Sequence, residues 1–375
     1  MDAERVAVSL RPDEPTVGGD GSSRFAVWLA RTQWSVRDHV DEFVRARCTA
    51  ELDPAGFSLP GQLMIDFASG GKCVRSVFVY LGWLSGGGGE SEPALRAAAS
   101  AELLHAFALV QDDVMDESLV RRGGPSAHQR LATWHKNQEL SGSSARFGES
   151  AAILLADLYL VWAERMLRES GVAAAALDRA WPHYDSMRSE LAVGQLADLT
   201  NDANLVPSVG AVMDIARRKS GNYTVRRPLE LGAAMAGCDE TVMRVLGAYG
   251  EVIGEAFQLR DDLLGIFGDP SATGKPTGDD VREKKATIVI ALADQLAAPS
   301  DRARLRDLWR EAYIGEQGVA LAQAVITESG ARERAEQMIG DRVERARRLL
   351  DVADLEPSVA DALHRMALLC THRTH

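Results

Sequence analysis

Apolar residues recur every three or four positions along most of this chain, a spacing typical of amphipathic α-helices. The pattern predicts helices over 25–48, 62–83, 92–116, 150–169, 172–199, 208–236, 240–267, 283–296, 301–313, 317–328, 331–352 and 357–370. Turn-forming glycines and prolines separate several of them, as at 86–89, 122–125 and 269–278. No segment alternates apolar and polar residues between turn signals, so no sheet is predicted. The expected fold is all-α, a single large helical bundle.

The first 23 residues lack this periodicity and are rich in Gly, Asp, Pro and Ser. Such a composition predicts a flexible N-terminal tail over 1–23. Composition does not shift along the remainder of the 375-residue chain. Residues 24–375 are therefore predicted to form one helical domain, which is long enough to bury a substantial core.

Composition narrows the functional classes. The formal net charge is −12 and the sequence pI about 5.2, which argues against a broad nucleic-acid-binding surface. The four cysteines lack CxxC spacing, which favours reduced thiols over a disulfide framework or zinc site. The most hydrophobic run, 151–163, contains Asp157 and is shorter than the roughly 20 residues that a bilayer-spanning helix needs. The N-terminus has no basic segment followed by an apolar one, so no signal peptide is predicted. We expect a cytoplasmic protein with no nucleic-acid partner and no stable membrane insertion.

The first candidate site is the acidic run Asp112-Asp113-Val114-Met115-Asp116, at the end of the predicted helix 92–116. Asp112 and Asp116 stand four positions apart and share one helical face, where like charges repel unless a cation joins them. Carboxylate oxygens suit Mg²⁺, especially beside a phosphorylated substrate. Taken alone, this cluster is equally compatible with a solvated acidic helix end.

A second acidic pair, Asp261 and Asp262, ends the predicted helix 240–267. The residue four positions after Asp261 is Gly265 rather than an acid, and the next carboxylate is Asp269. Two acidic helix ends that face each other across a bundle could hold several Mg²⁺ ions and one diphosphate. The pair of clusters therefore favours a metal–diphosphate site.

Basic residues stand near both clusters, namely Lys72, Arg75, Arg121, Arg122, Lys219, Lys275 and Lys285. Each of them alone is more typical of a solvated surface, but together they could bind phosphate oxygens through charge-assisted hydrogen bonds. Lys72 and Arg75 are three positions apart and are expected on one helical face. His105 lies seven positions before Asp112, two turns earlier on the same face, and is a candidate diphosphate contact. His128 is expected to pack or cap.

Taken together, these stretches resemble the trans-isoprenyl diphosphate synthases, the polyprenyl synthetase family, and most closely the bacterial geranylgeranyl diphosphate synthases. The matching segments are Gly70–Ser76 (family GGKRxRP), Asp112–Pro125 (first aspartate-rich motif, DDxxD, then RRGxP), Gly194–Asp198 (GQxxD), Lys219-Ser220 (KT), Phe257–Asp269 (second aspartate-rich motif) and Thr273–Asp280 (TGKxxGxD). Their order and spacing extend over roughly residues 60–290, so the resemblance covers most of the chain.

The resemblance implies the isoprenoid synthase fold, a bundle with a central cavity that usually forms a homodimer. It implies an Mg²⁺-dependent condensation of isopentenyl diphosphate with an allylic diphosphate, with three Mg²⁺ ions per active site. By the same resemblance, the metal ligands would be Asp112, Asp116 and Asp261, and the catalytic set Asp112, Asp113, Asp116, Asp261, Asp262, Lys219 and Gln258. Arg121, Lys219 and Lys275 would hold the allylic diphosphate, whereas Lys72, Arg75, His105 and Arg122 would hold isopentenyl diphosphate.

Several positions depart from the family pattern. Cys73 stands for an Arg and Ser76 for a Pro in the first basic motif, and Gln111 stands where many relatives have His. Gly265 replaces the third acid of the second motif, and Lys284 replaces a common Gly. The change at Cys73 is expected to affect the affinity for isopentenyl diphosphate.

Product length in this family depends on the residues below the first acidic cluster. Here Ala108 and Phe107 stand four and five positions before Asp112. One bulky residue, with no insertion between Asp113 and Asp116, resembles the pattern of geranylgeranyl (twenty-carbon) synthases. Phe107 would then form the cavity floor, although ordinary core packing is the alternative.

Other functions remain open at this stage. A farnesyl or longer-chain synthase would share all of these motifs. A class I terpene cyclase would share the bundle and the first aspartate motif, but it would not need the isopentenyl diphosphate site around Lys72 and Arg75. An inactive partner subunit of a heteromeric synthase would be expected to lose acidic or basic residues, most of which this chain keeps.

Overall fold

The computed structural model describes residues 21–202, 208–269 and 277–372. The helices are α1 (Gly21–Arg47), α2 (Ser58–Ala68), α3 (Val74–Leu84), α4 (Glu92–Met115), α5 (Ala127–Asn137), α6 (Ser144–Arg168), α7 (Ala174–Asp202), α8 (Val209–Ala216), α9 (Arg227–Ala236), α10 (Glu240–Phe267), α11 (Asp279–Arg282), α12 (Ile288–Leu296), α13 (Pro299–Arg310), α14 (Glu316–Glu328), α15 (Ala331–Asp351) and α16 (Pro357–Thr371). The all-α prediction is confirmed. Of the predicted tail, 1–20 lie outside the described residues, and its last three positions belong to α1.

The helix predicted over 62–83 is in fact two helices, α2 and α3. The chain breaks between them because Gly71 and Cys73 adopt left-handed backbone angles, with φ of 121° and 51°. Side chains from α1 fix this loop, since Gln33 Nε2 donates to the Lys72 carbonyl at 2.7 Å and Arg37 Nη2 to the Gly71 carbonyl at 3.1 Å.

Several further elements were not predicted, among them helix α5. A two-stranded antiparallel hairpin, β1 (Val120–Arg121) and β2 (Gly124–Pro125), follows the first acidic cluster and leads into α5. Between α8 and α9, the segment Arg217–Arg226 is π-helical, so the predicted helix 208–236 changes its winding in the middle.

Buried apolar side chains form three packed groups. The largest surrounds α4, the second joins α10 to α12–α15, and the third lies among α3, α9, α10 and α16. Close backbone approaches at glycines hold several helices together. A Cβ on Gly254 of α10, for example, would lie 2.5 Å from the carbonyl oxygen of Gly221 in the π-helical segment. None of the described helices combines the length and apolar character that a bilayer crossing requires.

Candidate active site

A cavity of about 1460 Å³ opens among α4, α6, α7, the π-helical segment and α10. One end is charged, with Asp112, Lys219, Asp261 and Lys285 among its lining residues. The walls farther along α4 include Phe107 and Ala108, the predicted chain-length residues. The structure thus brings the two acidic helix ends to one cavity, as the sequence predicted.

Three basic side chains, Lys219, Lys285 and Arg121, lie close to the first acidic cluster. Lys219 Nζ lies 3.4 Å from Asp112 Oδ1, and Lys285 Nζ lies 3.4 Å from Asp116 Oδ2. Burial opposes ionisation of Asp112, but the charges of Lys219, Lys285 and Arg121 outweigh it, so the pKa of this carboxyl falls below its usual range. Burial and the neighbouring Asp112 raise the pKa of Asp116.

Asp113 occupies a different environment from its neighbours. Its side chain is fully buried, is not part of the cavity wall, and accepts a 2.7 Å hydrogen bond from Nε of Arg121, with a second from Nη2. Burial raises the pKa of Asp113 despite this partner. The geometry therefore does not support the predicted catalytic role for Asp113; it supports a role in fixing Arg121, which does line the cavity.

The two acids of the second cluster are also unequal. Both line the cavity, but Asp261 is exposed whereas Asp262 is buried. Asp262 accepts hydrogen bonds from the Ile288 backbone N–H at 2.8 Å and from Gln258 Nε2 at 2.7 Å. Burial, with smaller contributions from Asp280 and Asp261, raises the pKa of Asp262 to about 8. Asp262 thus fastens the start of α12 to α10 and orients Gln258.

The acid that the sequence lacks at position 265 has a spatial substitute. A Cβ built on Gly265 would overlap the carboxylate of Asp280, which reaches the same point from α11 and lines the cavity. Asp280 also stands close enough to Lys285 to raise the pKa of that lysine against the effect of burial. The second cluster therefore contains a third carboxylate.

Three of the predicted isopentenyl diphosphate residues, Lys72, Arg75 and His105, line the cavity. The expectation that Lys72 and Arg75 share a helical face was wrong, because α3 begins only at Val74 and Lys72 lies in the preceding loop. Arg75 donates to Thr224 Oγ1 at 3.0 Å and stacks over the Tyr223 ring at 4.5 Å.

The His105 ring is turned toward these residues, with its centroid 6.4 Å from that of Tyr223. Burial and the charge of Arg75 lower the pKa of His105 well below its usual range, which keeps the ring neutral. No side chain or backbone group of the described residues pairs with its Nδ1 atom.

The two remaining basic residues of the predicted site are Arg122 and Lys275. Arg122 packs against Gly70 and donates to the Phe67 carbonyl at 3.1 Å, outside the residues that line the cavity. Lys275 lies outside the described residues. His128 is buried and its Nδ1 lies 3.2 Å from Ser126 Oγ, in agreement with a packing role.

Sequence reasoning did not assign Asp198 or Asp280 to the site, although both line the cavity. Asp198 Oδ2 lies 2.5 Å from Lys219 Nζ, so one lysine bridges α7 and α4. The signal was present, since Asp198 and Asp280 are the acids of the GQxxD and TGKxxGxD segments.

Comparison with known proteins agrees with this geometry. The polyprenyl synthetase family model matches residues 61–325. A geranylfarnesyl diphosphate synthase of Aeropyrum pernix is 32% identical over 75% of this chain and 83% of its own. A geranylgeranyl diphosphate synthase of Mycobacterium tuberculosis is 31% identical over 80% of each chain. The crystal structure of a Corynebacterium glutamicum geranylgeranyl pyrophosphate synthase, complexed with isoprenyl diphosphate and magnesium, superposes with a TM-score of 0.88 at 37% identity, covering 92% of this chain and 99% of that one. This chain belongs to the polyprenyl synthetase family and is a trans-prenyltransferase.

Proposed function

We propose that the enzyme condenses isopentenyl diphosphate with an allylic diphosphate to give all-trans geranylgeranyl diphosphate. The observation that carries this proposal is the cavity itself, which has acids and cations at one end and apolar walls beyond them. The charged end suits two diphosphate groups, and the apolar walls suit a prenyl chain. Phe107 is the single bulky residue below Asp112, which favours a twenty-carbon product.

The site fits Mg²⁺ as the cofactor, because its acids offer the hard oxygen ligands that this ion prefers. Asp112, Asp116 and Asp261 are the proposed ligands, with Asp280 in the place of the acid missing at 265. Among the described residues, no three acidic, histidine or cysteine side chains converge into a protein-only metal site. This suits Mg²⁺ ions, three in our proposal, that complete their shells with water and diphosphate oxygens. When bound, Mg²⁺ would stabilise the charge of the departing diphosphate.

The basic residues divide between the two substrates in this proposal. Lys219 and Arg121 lie against the first acidic cluster and would hold the allylic diphosphate, together with Lys275. One wall of the cavity, formed by the loop before α3, the start of α3, and α4, includes Lys72, Arg75 and His105. These three residues would hold isopentenyl diphosphate. Arg122 would join them only by turning away from the Phe67 carbonyl.

The apolar walls protect the reaction from water. Loss of the allylic diphosphate leaves a carbocation, which water would quench, so the prenyl chain must lie in a dry pocket. Gln258 lines the cavity near Asp261, where it would contact the reacting carbons. Its side-chain amide is held by Asp262, which fixes its orientation.

A homodimer is part of the proposal. Large apolar side chains that do not line the cavity are exposed on α6 and α7, namely Leu154, Val161 and Val193, with exposures of 54–65%. A second copy that covers this face would remove them from water. The proposal also retains one helical domain over 24–375 and a cytoplasmic location.

A longer product is the second candidate. The cavity continues past Phe107 to Arg188 and Asp185 on α7, and one relative is named a geranylfarnesyl diphosphate synthase. A cyclase is disfavoured because Lys72, Arg75 and His105, which it would not need, line the cavity.

The test is a product assay. Purified enzyme would be incubated with Mg²⁺, isopentenyl diphosphate and, separately, dimethylallyl, geranyl or farnesyl diphosphate, with products separated by chromatography. We expect a twenty-carbon diphosphate and, for Asp261→Asn, a loss on the order of 100-fold or more in kcat. The matched control is Asp307→Asn on α13, whose side chain is 73% exposed and which should keep full activity. A hydrocarbon formed from geranylgeranyl diphosphate alone would indicate a cyclase, and no product from any primer would indicate an inactive subunit.

A further inference from the structure

We propose that Arg188 of α7 ends the hydrocarbon part of the cavity and limits product length once the narrower point at Phe107 is opened. This inference rests on the proposed function, because it concerns the chain of the prenyl product. Arg188 and Asp185 of α7 line the cavity outside the two acidic clusters, as does Asp157 of α6.

The depth of Arg188 follows from the way α4 and α7 run. Lys219 Nζ bridges Asp112 near the end of α4 and Asp198 near the end of α7, so both helices reach the charged end of the cavity with their C-terminal turns. Phe107 lies five residues before Asp112, which is roughly 7.5 Å along the helix axis. Arg188 lies ten residues before Asp198, which is roughly 15 Å. Arg188 therefore stands deeper than Phe107.

The guanidinium of Arg188 is held in place on several sides. Its Nη1 lies 3.2 Å from Glu164 Oε2 on α6, and its Nη2 donates to Asp185. Its central carbon stacks over the Tyr184 ring at 4.5 Å, and that ring is buried. An arginine with two ion-pair partners and a stacking partner cannot swing aside at low cost.

A growing prenyl chain would be stopped by this group. Hydrocarbon that reached Arg188 would strip water from a guanidinium and two carboxylates without replacing those contacts, which is unfavourable. Asp185 is 54% exposed, so the deep end also stays wet. The cavity thus has two successive limits, a bulky one at Phe107 and a charged one at Arg188.

The two limits can be separated by substitution. We expect Phe107→Ala to lengthen the product, and Phe107→Ala/Arg188→Leu to lengthen it further by at least one isoprene unit. Arg188→Leu alone should lengthen the product less than the double variant does, because Phe107 is met first. The matched control is Phe107→Ala/Arg168→Leu. Arg168 also pairs with Glu164, at 3.8 Å, but its side chain is 60% exposed and does not line the cavity, so this variant should match Phe107→Ala.

A product profile of Phe107→Ala/Arg188→Leu identical to that of Phe107→Ala would overturn the proposal. Equal lengthening of the product by Phe107→Ala/Arg168→Leu would also overturn the proposal, since it would show that the effect comes from removing an ion-pair partner of Glu164. Arg188→Lys keeps a positive charge at this position and should therefore preserve the limit on product length. Folding is checked by thermal unfolding of every variant.

A binding readout separates this proposal from the proposed function. Non-reactive prenyl thiodiphosphates of increasing length should raise Tm of the Phe107→Ala/Arg188→Leu variant at lengths that no longer raise Tm of Phe107→Ala. This difference can be measured even if the enzyme makes no product, in which case only the proposed function fails. Identical length cut-offs for both variants would contradict the role of Arg188.

Discussion

At the scale of single residues, Gly265 leaves room for Asp280, because the Asp280 carboxylate occupies the space that a side chain at position 265 would fill. We expect Gly265→Ala to displace the Asp280 carboxylate and to weaken Mg²⁺ binding in the presence of diphosphate by about tenfold, or ~1.4 kcal/mol. Folding stability should change little, because alanine is favoured over glycine inside a helix. Calorimetric titration of Mg²⁺ with inorganic diphosphate present measures the effect.

The control for this prediction is Gly340→Ala in α15, where an added Cβ meets no atom within 4 Å. It should stabilise the fold by about 0.5–1 kcal/mol and leave Mg²⁺ binding unchanged. If Gly265→Ala binds Mg²⁺ as tightly as the control, Asp280 does not act as the third carboxylate.

Phe107 carries the second residue-scale prediction. It lines the cavity about one and a half helical turns before Asp112, where we propose that its ring narrows the path of the prenyl chain. We expect Phe107→Ala to shift the main product by one or more isoprene units, as read by chromatography. Phe57→Ala, at a ring that is 48% exposed, is the control and should keep the parent product. An unchanged product from Phe107→Ala would refute its role as a floor.

The sequence pointed to both acidic clusters, and the resemblance named Asp112, Asp116 and Asp261 as the metal ligands, but the surroundings of each acid could not be predicted. Successive residues of a helix point about 100° apart, so only the packing of neighbouring helices determines how deeply each acid of a pair is buried. For the same reason, the sequence showed Gly265 as a missing acid, whereas the acid arrives from another helix at Asp280.

At the scale of elements, Gly194 joins α7 to the π-helical segment. A Cβ on Gly194 would lie 2.6 Å from the Lys219 backbone nitrogen and 2.8 Å from its Cα. We expect Gly194→Ala to push the segment away from α7 and to move Lys219 from Asp112. The change should destabilise the protein by about 1–3 kcal/mol, as overpacking against rigid backbone does. It should also raise KM for the allylic substrate.

Denaturant unfolding and steady-state kinetics test this prediction together. The control is Gly210→Ala in α8, the neighbouring helix, where an added Cβ meets nothing within 4 Å. It should leave both quantities close to those of the parent. Parent-like stability and KM in Gly194→Ala would show that the segment tolerates displacement.

The predictable elements were the long amphipathic helices, whose boundaries agree within a few residues. The errors fell where tertiary contacts override local pattern. The break between α2 and α3 was missed although Gly70 and Gly71 stand there, and Cys73, which is not a glycine, also adopts a left-handed conformation. The short helix α5 was not predicted and is fixed by packing on α6, where a Cβ on Gly148 would lie 3.0 Å from the Ala132 backbone nitrogen.

At the scale of the whole molecule, total charge predicted little about the site. The net charge of −12 argued against a broad nucleic-acid-binding surface, yet the charged end of the cavity balances its acids with Lys219, Lys285 and Arg121. Net charge is a sum over all residues, whereas binding of two diphosphates depends on which charged residues the fold brings together in the cavity. Electrostatic contacts inside the bundle also contribute to the stability of the entire molecule, and Glu230 provides the clearest case.

Glu230 joins three elements near the centre of the bundle. It is 5% exposed and accepts hydrogen bonds from Arg226 Nε at 2.9 Å and Arg227 Nη1 at 2.5 Å, while His183 Nδ1 of α7 lies at 3.5 Å. Burial opposes its ionisation, but His183, Arg226 and Arg227 outweigh burial and lower the pKa of Glu230 from 4.5 to about 2. Because the folded state has the lower pKa, the ionised carboxylate stabilises the fold fully above pH 4.5, and this stabilisation is lost as the pH falls toward 2.

The corresponding variant is Glu230→Gln, which should lower the free energy of unfolding by about 3 kcal/mol at pH 7, the order of magnitude that a shift of this size implies. The difference from the parent should narrow steadily between pH 4.5 and pH 3, as denaturant unfolding at each pH would show. Glu344→Gln is the control, because Glu344 pairs with Arg347 on the exposed face of α15 and its loss should matter far less. A stability gap for Glu230→Gln that stays constant from pH 7 to pH 3 would mean that the ionised carboxylate is not what joins α7, the π-helical segment and α9.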